Sequence, residues 1–112
     1  MEGDDEVRKL VRGGRYLSLI YFLSALDAVR RFGKGSVVTP SDILREMRGA
    51  RPAKGWVLKF LDFMVAAGAM SRVMRKASRK GESAYYIERD IDEDYKIILV
   101  EAWLREGVKL RT

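Results

Sequence analysis

The chain contains no cysteine and no histidine. Without thiols there are no disulfides and no thiolate metal sites, and without imidazole there is no histidine general base. Zinc ribbons and the His-based and Cys-based catalytic schemes are therefore excluded. Asparagine and glutamine are missing too, whereas Lys, Arg, Asp and Glu make up 34% of the residues. Loss of thermolabile amides with gain of charge is a thermophile trend, so a source growing at high temperature is expected. Long hydrophobic runs are also scarce. The longest nearly uncharged stretch, Tyr16 to Leu26, is about half of what a bilayer span needs. No charged leader with a small-residue cleavage site precedes it, so the expected location is the cytoplasm, with no membrane partner.

Catalysis would have to rest on paired carboxylates, a Lys, or a Ser with an unusual base, and no such constellation stands out. The Gly33-Lys34-Gly35 and Gly13-Gly14 pairs lack the spacing of a phosphate-binding loop and read as turn chemistry. The expectation is a protein that is not an enzyme, with no catalytic residues, no metal and no cofactor.

What is present is a 112-residue chain, 47% hydrophobic, with room for one domain (1–112) and a modest core. Its net charge is +6, with a pI near 9.8, and the charge is unevenly spread. Between Arg30 and Gly81 stand 13 Lys or Arg and three acids (Asp42, Glu46, Asp62), a local excess of +10; the rest of the chain holds 9 basic and 13 acidic residues. Such a concentration suits a phosphate backbone, although it also describes the solvated face of a basic protein.

The periodicity predicts an N-terminal helix over 7–33, interrupted at Gly13-Gly14, apolar on more than one face, and stopped by Gly33 and Gly35. Ser36 to Thr39 reads as a short strand. Thr39 then caps a helix with Pro40 at its first position and Asp42 where a capping box uses Glu. Ile43, Leu44 and Met47 form its buried side, and Gly49 to Pro52 turn the chain. A second helix runs 53–67 and stops at Gly68. A hairpin follows, Ala69 to Lys76 and Ser83 to Glu88 around a basic turn, with Tyr85 and Ile87 on one face and Tyr86 on the other. The last helix, 91–106, is capped by Asp92 and ended by Gly107.

A helix, a tight turn, a second helix and a hairpin with a basic tip follow one another here. In the helix Val57 to Ala67, its ending Ala66-Ala67-Gly68-Ala69-Met70, and the strand, basic turn and strand beyond it, the chain resembles winged helix-turn-helix regulators of archaea and bacteria. The resemblance covers about half of the chain and is one of pattern, without a diagnostic motif. It implies an α+β, mainly helical fold: a winged helix-turn-helix (36–88) with an additional N-terminal helix and a C-terminal helix. It further implies that Val57, Leu61, Met64 and Met70 face the core, while Lys54, Gly55, Trp56, Lys59, Phe60 and Phe63 lie toward a DNA groove.

The expected partner is double-stranded DNA. The residues expected to meet it are Arg45, Arg48, Arg51, Lys54 and Lys59, with Arg75, Lys76, Arg79 and Lys80 on the wing (75–81). Trp56, Phe60 and Phe63, at i, i+4 and i+7, are unusual on a DNA-reading face. They either pack against the first helix, the terminal helix or a partner chain, or form a thymine-methyl contact or a protein-binding patch. The two outer helices, both apolar nearly all round, suggest a homodimer built by Tyr16, Leu19, Ile20, Leu23, Ile98, Val100 and Trp103. Two functions remain open: a dimeric transcription regulator or architectural DNA-binding factor, and a winged-helix module that docks a protein partner in a transcription or replication assembly through Trp56, Phe60 and Phe63.

Overall fold

Four helices and a three-stranded antiparallel sheet make up the described residues of the computed structural model, which are 15–49, 51–73 and 82–109, with side chains at 17–49, 51–73 and 82–106. In chain order these are α1 (Arg15–Phe32), β1 (Val37–Val38), α2 (Pro40–Glu46), α3 (Lys54–Ala66), β2 (Met70–Val73), β3 (Ala84–Ile87) and α4 (Glu93–Lys109). The fold is α+β and mainly helical. No helix among the described residues is long and apolar enough to cross a membrane.

Local chemistry sets the element ends. Thr39 and Asp42 form a reciprocal capping box: the Asp42 N–H donates to Thr39 Oγ1 at 3.2 Å and the Thr39 N–H to Asp42 Oδ2 at 2.9 Å. Two of the orphan donors at the start of α2 are thereby satisfied, and Pro40 stands at the first helical position where it has no donor to lose. Asp92 caps α4 with a single bond, accepting from the Tyr95 N–H at 2.8 Å. Gly33 and Gly68, with φ of 82° and 81°, supply the left-handed conformation that closes α1 and α3.

One expected boundary shifts, and two others fall partly or wholly outside the described residues. The helix expected over 7–33 is helical over its described part, Arg15–Phe32, and residues 7–14 lie outside the described residues. The last helix does not end at 106: it passes through Gly107 to Lys109, because an interior glycine costs only about 1 kcal/mol and does not by itself break a helix. The expected basic hairpin turn, 75–81, lies outside the described residues.

β3 is the central strand of the sheet, pairing with β1 (Val37 opposite Tyr86, Val38 opposite Tyr85) and with β2 (Met70 opposite Ile87 through Val73 opposite Ala84). The two-residue alternation follows directly: Val38, Tyr85 and Ile87 are buried, while Val37 is exposed and Tyr86 only half-buried.

The core lies where α1 meets α2, α3 and α4, with the sheet closing it below α3. Val57, Phe60, Leu61 and Met64 of α3 are fully buried at i, i+3, i+4 and i+7. This corrects the groove-facing placement of Phe60 that the resemblance implies, since Phe60 is 0% exposed; Lys54, Gly55 and Lys59 are exposed, and the aromatic residues take the other expected placement, against the first and terminal helices. The cause is α1 and α4, whose rings pack on Trp56, Phe60 and Phe63 and widen the apolar stripe of α3 beyond the side facing the sheet. Phe22 of α1 stacks on Trp103 of α4 at 4.7 Å and meets Phe60 and Phe63 edge-on, each at 5.5 Å. Trp103 also meets Phe63 and Trp56 edge-on, and Tyr21 contacts Trp56 at 5.5 Å. Trp56 and Phe63 are half-buried by these rings.

A measurement of packing follows. Phe60→Ala should cost about 3–5 kcal/mol in denaturant unfolding, as truncations of enclosed aromatic rings do, whereas Leu58→Ala, on the exposed side of the same helix, should stay within about 0.5 kcal/mol. A Phe60→Ala variant as stable as the parent would contradict the enclosed placement of this ring.

Candidate nucleic-acid interface

The expected cationic residues fall into distinct neighbourhoods. Arg45, Arg48 and Arg51 are exposed around the turn joining α2 to α3. Arg51 donates to the Arg45 carbonyl at 3.5 Å, which brings the two guanidinium-bearing residues to one side of the turn. Arg48 is anchored through its backbone, its carbonyl accepting from Ser24 Oγ of α1 at 3.1 Å. The turn is thus tied to α1 while its side chains face outward. Lys54 opens α3 beside this cluster.

Several of these cations are paired. Arg45 lies 3.6 Å from Asp42. Arg72 of β2, which the sequence pattern did not single out, donates to Asp62 of α3 at 2.6 Å, with both side chains more than half exposed. Lys54 Nζ donates to Glu82 Oε1 at 2.5 Å. Glu82 also accepts from the Ser41 N–H at 3.3 Å and from the Ser41 hydroxyl. One carboxylate just before β3 therefore ties the hairpin to the first turn of α2 and to the start of α3. Sequence reasoning passed over Glu82 as part of a polar turn. The available signal was its isolation: it is the sole acid between Asp62 and Glu88, next to a run of four cations.

The three hydrogen bonds hold the Glu82 carboxyl well below its ordinary value of 4.5, at about 2; the Lys54 ammonium contributes most and the Ser41 hydroxyl next, against the opposing effect of burial. Its side chain is 9% exposed, so the pair is closer to the protein interior than the other ion pairs of this face. Nearby, burial pushes the Tyr85 phenol up, with the Asp62 charge acting in the same direction.

Lys59 lies elsewhere. With Asp62, Phe63, Ala66 and Ala67 it borders a groove of about 570 Å³ whose other wall is Ala102, Trp103 and Glu106 of α4. Arg45, Arg48 and Arg51 therefore stand about the α2–α3 turn, Lys54 at the start of α3 is tied through Glu82 to the first turn of α2, and Lys59 lies on the α4 side. Arg75, Lys76, Arg79 and Lys80 lie outside the described residues.

The residues expected to form a dimer contact also divide. Val100 and Trp103 pack against the core, and Leu19 and Leu23 are half-buried. Ile20 and Ile98 are exposed, as are Leu17 and Ile97, which were not among the expected contacts. The Tyr16 side chain lies outside the described part. No group of three or more carboxylates placed to hold a metal ion occurs among the described residues.

Compared with known proteins, the chain matches no family model, no curated protein and no solved structure.

Acid titration tests the Glu82 contacts. Because the folded-state value is depressed from 4.5 to about 2, the stabilisation is complete above about pH 4.5 and fades as pH falls toward 2. The charged neighbour that faces Glu82 is Lys54. The stability gap between the parent and Glu82→Gln should therefore be constant from pH 7 to 5 and shrink steadily below. A gap independent of pH down to 2 would show that the ion pair contributes nothing to folding.

Proposed function

We propose that this protein is a winged helix-turn-helix DNA-binding factor, acting as a homodimer in transcription regulation or duplex architecture. The observation that carries the reading is the grouping of exposed Arg45, Arg48, Arg51 and Lys54 about the α2–α3 turn, beside a hairpin whose tip sequence, Arg75 to Lys80, is basic. Cations presented from a helix-turn-helix and an adjacent wing match the way such modules straddle a duplex: phosphate contacts fix position, and the helix that enters the groove supplies base contacts. In this reading α3 is the groove helix, with Arg51 and Lys54 at its leading end.

The dimer part rests on the exposed apolar residues of the two outer helices, Leu17 and Ile20 on α1 and Ile97 and Ile98 on α4. A two-fold pairing through them would present two half-sites, as DNA-binding dimers do. The alternative of a protein-docking module acting through Trp56, Phe60 and Phe63 has less to stand on. Phe60 is enclosed and the other two rings are half-covered by neighbours from the same chain.

Gel-shift titrations on one random duplex across a salt series decide the matter. Binding should weaken steeply with salt, and Arg48→Ala with Arg51→Ala should lower the logarithmic salt slope by roughly 2, each lost phosphate contact removing about 0.9. Affinity that does not change with salt would end the DNA reading. For the dimer, sedimentation at micromolar concentration should give twice the monomer mass, and Ile97→Glu with Ile98→Glu should give the monomer. A parent protein that sediments as a monomer at high concentration would remove the dimer.

A further inference from the structure

We infer that Glu82 is an internal competitor for the phosphate backbone, an acid built into the cationic face that neutralises Lys54 and so limits binding to DNA of any sequence. The inference rests on the DNA-binding reading above and adds a device to it. Lys54 and Arg51 flank the approach to α3, yet only Lys54 has a carboxylate at 2.5 Å. Lys54 keeps 49% of its side chain exposed, whereas Glu82 keeps 9%. The acid is fixed from behind by the Ser41 N–H and hydroxyl and does not swing away when a polyanion approaches.

The consequence follows from what drives duplex binding. Affinity and its salt dependence count the cationic charge that replaces counterions on the phosphates. An ammonium already neutralised by a fixed carboxylate replaces none, although its remaining N–H groups are still directed outward. Asp62 does the same to Arg72 at 2.6 Å, on the strand next to the wing. Two cations that a count of charges would assign to the duplex are thus offset by acids from a different element. The effect falls on every sequence alike, because phosphate contacts carry no sequence information. Base-edge contacts therefore supply a larger share of the binding at a preferred site, and the face discriminates more sharply than its formal charge suggests.

The test measures affinity and salt slope on a random duplex for the parent, Glu82→Gln, Lys54→Ala and the double variant, with Asp62→Asn as the exposed counterpart. Glu82→Gln should bind more tightly at low salt and steepen the slope by about 0.9, so that its advantage over the parent shrinks by roughly 3.5-fold between 50 and 200 mM salt. Lys54→Ala should change the slope little in the parent and should abolish the gain in the Glu82→Gln background. Asp62→Asn should steepen the slope in the same sense without touching the hairpin anchor. A slope unchanged in both Glu82→Gln and Asp62→Asn, with the parent still binding in a salt-dependent way, overturns the inference alone. Gain in Asp62→Asn but not in a folded Glu82→Gln overturns it for Glu82. A parent and variants that all fail to bind duplex at low salt overturn both this inference and the DNA reading.

Discussion

The stacking of Phe22 on Trp103, with Phe60 set edge-on against Phe22 and Phe63 edge-on against both rings, holds the two ends of the described chain onto its middle. α1 and α4 are separated by the whole of the sheet and the α2–α3 pair, and loop closure over that distance is entropically costly. Each aromatic pair adds about 0.5–1.5 kcal/mol beyond the area it buries, and the rings of four residues are shared among four such contacts. Because Phe22 and Trp103 stack on each other and both meet Phe63 of α3, they settle how α3 is rotated about its own axis. That rotation decides which of its residues meet solvent, and so everything that the molecule can present there.

The outward side of α3 carries Gly55, Leu58, Lys59, Asp62 and Ala66. Of these only Lys59 and Asp62 have side chains that could hydrogen-bond a base edge, and Asp62 is held by Arg72. The guanidinium groups stand instead at the α2–α3 turn. Within the proposed DNA reading, most of the binding then comes from backbone contacts at the turn and the wing, with few base contacts from the middle of α3. Such a balance favours broad duplex binding unless something restrains it, and paired acids on the same face are the restraint available within the chain.

Local signals were legible in the sequence because their partners are three or four residues away. The Thr39/Asp42 capping box, the Gly33 and Gly68 stops and the Asp92 cap each depend on contacts within one turn. The inward and outward faces of Val37-Val38 and Tyr85-Tyr86-Ile87 follow from strand alternation alone. Phe60 was misplaced for a different reason. Its i, i+4, i+7 relation to Trp56 and Phe63 looks like a second stripe, while its i+3 relation to Val57 makes it part of the first. Only the positions of α1 and α4 decide between the two. The same limit applies to α4, where an apolar sequence on all sides cannot tell that Leu99 and Trp103 turn inward and Ile97 and Ile98 outward. The contacts of Glu82 were not legible, since its partners lie 41 and 28 residues away, and only its isolation among cations marked it.

That last omission alters how the charge of the chain should be counted. Within the segment from Arg30 to Gly81, all three acids are paired with cations of the same segment: Asp42 with Arg45, Glu46 with Arg31 and Asp62 with Arg72. Two acids beyond that segment neutralise two more of its cations, Glu82 pairing with Lys54 and Glu93 with Arg30. Charges a few ångströms apart cancel within a Debye length, which is about 10 Å in 0.1 M salt, so a phosphate approaching α3 meets less positive potential than the sequence total implies. Among the described cations of that segment Lys34, Arg48, Arg51 and Lys59 have no ion pair, and of these Arg48 and Arg51 stand at the α2–α3 turn. Steering of a polyanion would therefore begin at the α2–α3 turn, and α3 would be drawn into place after that contact has formed.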